Sequence, residues 1–208
     1  MIATSLVSLL AACNNSGETK SEIVTDSSTH EMNHSASQTN EMKGLMDKMM
    51  MQMHGVQATG NNDVDFATMM IVHHKGAVEM AKLELARGSN NELRKFAQAV
   101  IDAQEKEISF MGDFIARAPK TTSSDTKTFQ DGLAASMKTM MEDSTRSYND
   151  IDKDFAAQMI PHHQSAVDMA KVYLKLGTNE ELKTLSRNIQ DSQTGEIEML
   201  RNWLEKVQ

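Results

Sequence analysis

One stretch of this chain occurs twice. Asp65-Phe66-Ala67-Thr68-Met69-Met70-Ile71-Val72-His73-His74 returns as Asp154-Phe155-Ala156-Ala157-Gln158-Met159-Ile160-Pro161-His162-His163. The match continues without a gap through Ala77-Val78-Glu79-Met80-Ala81-Lys82 and Ala166-Val167-Asp168-Met169-Ala170-Lys171. Further on, Gly88, Gln104 and Glu107 answer to Gly177, Gln193 and Glu196. A tandem repeat of this length means one supersecondary unit used twice, each copy needing the other to cover its apolar face.

Each copy reads as a helical hairpin. Asp63 or Asp65 is placed to cap the first helix, and Asp152 or Asp154 that of the second copy. Gly88 and Gly177 suit a left-handed residue after a helix end. Ser89 to Glu92 and Thr178 to Glu181 have the spacing of capping boxes, so a new helix begins at once and runs antiparallel to the first. Pro161 is expected to kink or loosen its helix. Aromatics at 4%, only 2 Pro and 10 Gly over 208 residues agree with an all-helical chain. The expected fold is a ferritin-like four-helix bundle built from two hairpins. Phe129, Leu133, Met137, Met140 and Met141 follow a helical period. Met137-Lys138-Thr139-Met140-Met141 resembles Met46-Asp47-Lys48-Met49-Met50, so a Met-rich leader helix is expected before each hairpin. The expected boundaries are a signal segment at 1–13, a disordered tether at 14–40, and repeats at 41–118 and 119–208.

The chemistry concentrates at the His pairs. Phe66, Met70, His74, Ala77 and Ala81 form one helical stripe, which places His74 towards the core. His73 lies about 100° around the helix, on the face of Met69 and Met80. Reflection about the turn at Ser89-Asn90 brings the pair level with Gln104 and Glu107, and His162-His163 level with Gln193 and Glu196. These Gln and Glu residues interrupt the apolar stripe of the second helix, so polar breaks face each other in both hairpins. A buried His bonded to Glu can be no more than a satisfied polar pair, and a Met stripe is ordinarily core. Repetition of the whole constellation favours a functional site.

The chain carries 18 Met, a formal net charge of -8 and a single cysteine. Acidity argues against nucleic acid as a partner. Thioethers favour Cu(I), and imidazole suits either copper state. A closed Cys/His zinc site has no cysteines to use. Glu-x-x-His, the mark of di-iron bundles, is missing from the hairpins. Copper, as Cu(I) above all, is therefore the expected cargo, with Ag(I) as a surrogate. Auxiliary soft ligands are available at His30, Met32, His34, Met46, Met49, Met50 and His54. For the leader segment, a partly buried Met-rich helix explains the same residues equally well.

Ile2 to Ala12 form a short apolar run ending in Leu10-Ala11-Ala12-Cys13, with polar residues after it. The run is too short for a transmembrane helix and resembles a bacterial lipoprotein box with Cys13 as the acylated residue. Export, with a lipid anchor as the sole membrane attachment, is the expectation; protein partners are not legible.

The His-His/Met-Ala pattern, read at Asp65, Met69, Met70, His73, His74, Ala77, Met80 and Ala81 with Gln104 and Glu107 beyond, resembles the bacterial family called domain of unknown function 305. The resemblance spans most of residues 41–207, twice over. It implies a ferritin-like bundle, and for some members a periplasmic copper-binding role in copper tolerance. It also implies ligands, or residues lining the site, at His73, His74, Met70, Met80, His162, His163, Met159 and Met169. The two copies differ where Met69 becomes Gln158 and Val72 becomes Pro161. Sequestration or delivery of copper without catalysis is the leading expectation. A ferritin-like metal-dependent oxidase and a metal-free helical interaction module are the alternatives.

Overall fold

The computed structural model describes residues 34–143 and 147–207; the segment proposed as a signal, Cys13, His30 and Met32 lie outside them. Among the described residues the chain is all-helical: α1 (His34–His54), α2 (Asn62–Arg87), α3 (Asn91–Arg117), α4 (Thr126–Ser136), α5 (Lys138–Asp143), α6 (Ile151–Leu176) and α7 (Glu180–Lys206). None of these helices is long and apolar enough to cross a membrane.

The two hairpins are α2–α3 and α6–α7, and they meet through α2 and α6. Alpha-helical leaders flank this centre, with α1 against both α2 and α6, and α4 and α5 against α6. The central pair is therefore covered on several sides. This is why α2 buries Met69 and His73 as well as the expected stripe of Phe66, Met70, His74, Ala77 and Ala81. Phe66 of α2 stacks on Tyr173 of α6 at 4.2 Å between ring centroids, one of the apolar contacts joining the repeats.

The leader α1 starts at His34, ahead of the boundary at residue 40 drawn from composition. Met42, Met46, Met49 and Met53 recur every three or four residues and are at most 1% exposed, so they form its buried face. Full burial of a Met side chain contributes about 1.5–3 kcal/mol, enough for four of them to hold a helix that contains Gly44. Met49 fits against Gly76 of α2: a Cβ added there would come within 2.2 Å of the Met49 sulfur. The second leader breaks at Met137 into α4 and α5, where one helix was expected; Phe129, Leu133, Met137 and Met140 of the expected stripe are buried, and Met141 is exposed.

Several local expectations are corrected. Asn61 and Asp150 cap α2 and α6, in place of the aspartates further along. Asn90 and Asn179 cap α3 and α7, in place of Ser89 and Thr178. In each case a residue nearer the helix start takes the exposed N–H groups, because the expected one is bonded elsewhere. Gly88 and Gly177 are extended (φ -64° and -78°), with no left-handed turn. Their lack of a side chain serves close packing instead. A Cβ at Gly88 would lie 2.1 Å from Glu84 Oε1, and one at Gly177 would lie 2.3 Å from Tyr173 Cε2. Helix α6 runs unbroken through Pro161.

Candidate metal centre

Four imidazoles gather where α2 crosses α6. His73, His74, His162 and His163 are each 0% exposed. The His73 and His162 rings lie 3.8 Å apart between centroids with a 40° tilt, one from each repeat. His74 and His163 stand to either side, 6.1 Å from His73 and 5.8 Å from His162. Phe96 of α3 meets His163 edge-on at 6.3 Å, adding to the apolar wall.

The second helix of each hairpin supplies the opposing carboxylate. His74 Nε2 is 2.7 Å from Glu107 Oε2, and His163 Nε2 is 2.9 Å from Glu196 Oε2. The His74 contact has hydrogen-bond geometry, whereas the His163 contact is close without meeting it. The carboxylates remain 21% and 29% exposed while their histidines are sealed, so each Glu links the buried cluster to the surface.

The pattern of satisfied and unsatisfied nitrogens is informative. His162 Nε2 donates to the His73 backbone carbonyl at 3.0 Å. His74 Nε2 donates to Glu107. In both rings this bond fixes the tautomer, leaving the lone pair on Nδ1. Nδ1 of all four histidines is buried without a hydrogen-bond partner in the protein, as are His73 Nε2 and His163 Nε2. Leaving buried polar atoms unpaired costs about 1–3 kcal/mol each, so a cluster of them calls for an explanation. Burial, then the neighbouring His162, His74 and His163, hold His73 well below the usual imidazole value. Burial, then His163, do the same for His162, against the opposing bond to the His73 carbonyl. Neutral rings with free lone pairs are what a metal ligand requires.

Met70, Met80, Met159 and Met169 are all 0% exposed. Met70 precedes His74 by one helical turn, as Met159 precedes His163. Gln104 and Gln193 are 3% exposed, and each has an unpartnered Oε1. Among the described residues no three His, Cys, Asp or Glu side chains converge on one point as a ready-made metal site. A site here would have to combine imidazole with thioether sulfur, or draw the rings together on binding.

The remaining residues singled out from the sequence are spread along α1. Met46 and Met49 are core, Met50 packs partly against the core, and His54 is exposed. His34 opens the helix. The opposition of His to Glu within each hairpin was legible from reflection about the turn. The meeting of His73 with His162 was not, because nothing within one repeat says which face the other repeat covers.

The chain belongs to the family described as Domain of unknown function (DUF305), whose profile matches residues 4–115 and 152–208. No curated protein matches it. Among solved structures it is similar to CopM in the Ag-bound form, at 32% identity and a TM-score of 0.55, covering 69% of this chain and 95% of CopM. The Cu(I)-bound form of CopM aligns at 31% identity and a TM-score of 0.53, covering 69% of this chain and 96% of that one. A Streptomyces coelicolor protein described as a secreted DUF305 protein aligns at 28% identity and a TM-score of 0.56, covering 72% and 95%.

Proposed function

We propose that this DUF305 chain is an exported copper-binding protein that sequesters or delivers the ion, with its principal site at the four histidines between the repeats. The observation that carries the reading is the set of four buried, unpartnered Nδ1 atoms. Carboxylate–histidine pairs of the Glu107–His74 kind orient a ring so that its other nitrogen meets a metal. The neighbouring thioethers of Met70, Met80, Met159 and Met169 would favour Cu(I) over harder ions. Likeness to CopM, whose structures include Cu(I)-, Cu(II)- and Ag-bound forms, supports the same choice. Glu107 and Glu196, partly exposed, would orient His74 and His163 and offer the incoming ion its first contact. The role is binding without catalysis.

Export rests on the Ile2–Cys13 run and agrees with the description of the Streptomyces relative as secreted. Lipid attachment at Cys13 and auxiliary ligation by His30, Met32 and His34 are part of the same proposal. They would hold the protein at a membrane surface with a soft-ligand tail.

The test is anaerobic Cu(I) titration against a competing chelator, with copper measured per chain. Replacing His73 and His162 with Leu keeps the volume of the centre while removing two donors, and circular dichroism checks the fold. The expected result is loss of the tightest copper from a still-helical variant. Unchanged stoichiometry and affinity in the folded variant would overturn the proposal.

A further inference from the structure

Away from the histidines, each repeat reaches across and holds the turn of the other. Asp63, in the first turn of α2, accepts from Thr178 N at 2.8 Å, Thr178 Oγ1 at 2.7 Å and the Tyr173 hydroxyl at 2.6 Å. Asp152, at the matching place in α6, accepts from Ser89 N at 3.0 Å, Ser89 Oγ at 2.6 Å and Asn90 N at 3.0 Å. Burial alone would raise both carboxyls, but these donors outweigh it and hold both below the ordinary aspartate value. The two locks are crossed: each joins one repeat's first helix to the other repeat's helix–helix turn. Together they set the register in which His73 meets His162.

The locks differ in one group. Where the Asp63 lock has Tyr173, the Asp152 lock has Glu84; each stands four residues before the glycine that makes room for it. A tyrosine hydroxyl always brings a proton to its bond. Glutamate brings one only in its acid form. Glu84 is 0% exposed, and neither of its carboxyl oxygens meets an N–H or O–H donor in the protein. The group it faces is the Asp152 carboxylate. Two carboxyls in such contact attract with one proton between them and repel with none. Burial, then the bond and charge of Asp152, push Glu84 up to about 8; Arg94 from α3 opposes this and Asp150 from the start of α6 adds to it.

We propose that Asp63 and Asp152 are positioning residues that lock the two repeats in register, and that the Asp152 lock is closed by a proton shared with Glu84 and opens when that proton passes to solvent. The Asp63–Tyr173 lock stays shut over the same range, since burial and then Asp63 push the Tyr173 phenol above its ordinary value. The α2–α3 turn is thus the end of the bundle that loosens in mild alkali. This holds whatever the histidines bind.

Amide hydrogen exchange on the full metal-free chain tests it, with protection corrected for the intrinsic pH dependence. The comparison is between about pH 6 and about pH 9, one unit above the Glu84 midpoint, where ionisation of that group is about tenfold favoured. Protection at Ser89 and Asn90 should fall about tenfold, while that at Thr178 and Asn179 holds. Glu84→Gln, whose amide donates to Asp152 at any pH, should keep the α2–α3 turn protected at the higher pH. Asp152→Asn should lose protection there at both pH values. Equal loosening of both turns in the wild type, or a Glu84→Gln profile that follows the wild type, would overturn the proposal. Should Glu84→Gln fail to fold, the wild-type contrast between the two turns and the Asp152→Asn profile still decide it.

Discussion

At the scale of single residues, the glycines show how far local rules reach. Gly88 and Gly177 were read as left-handed stops, yet they are extended and are small because Glu84 and Tyr173 fold back over them. Gly177→Ala should therefore destabilise the protein by about 1–3 kcal/mol, the usual cost of overpacking, in a urea unfolding series. Gly112 lies inside α3 with nothing within 4 Å of an added Cβ. Gly112→Ala should stabilise by about 0.5–1 kcal/mol by removing chain freedom from the unfolded state. The residue type was the same in both cases. Only the packing around it, which depends on long-range contacts, separates the two outcomes.

At the scale of elements, much was legible. The hairpins, the short turns, the leader helices and the level of each His against its Glu follow from helical periodicity and from the repeat. What periodicity could not assign was the use of each face. Helix α1 illustrates this: its methionines read equally well as soft ligands or as core. Met49, at 1% exposure and seated on Gly76, is core, whereas Met51 is 69% exposed. Met49→Ala should cost about 2–5 kcal/mol, as large-to-small core changes do, and Met51→Ala should stay within about 0.5 kcal/mol of the wild type. Similar losses at both positions, by thermal or urea unfolding, would mean that α1 is not docked by its Met42–Met53 face. The caps were misassigned for a related reason. Asp63 and Asp152 have the chemistry of helix caps, but their partners lie in the other repeat, and no spacing within one hairpin reveals that.

At the scale of the whole molecule, two buried features oppose one another as pH changes. His73 and His162 are held neutral, with folded values below 6.5, so the unfolded chain takes up their protons first and stability falls as pH drops below about 6.5. Glu84, raised from 4.5 to about 8, works the other way: the folded chain keeps a proton the unfolded chain has lost, so stability falls as pH rises through that window. Two protons on the histidine side outweigh one on the carboxyl side, and the metal-free protein should be most stable near pH 6.5 on account of these groups. Above that maximum the loss should reach at most about 0.8 kcal/mol per pH unit, near about pH 7.5, because the unfolded histidines still bind some proton and Glu84 itself begins to ionise, and Glu84→Gln should flatten it. A denaturation series across pH checks both statements. The central claim remains the metal centre, formed only because two repeats place four histidines at one crossing. Copper X-ray absorption on the Cu(I)-loaded protein tests it most directly. The account predicts a first shell of nitrogen together with sulfur, with the nitrogen part reduced in the folded His74→Leu/His163→Leu variant. A sulfur-only shell, or a spectrum unchanged by that double substitution, would contradict it.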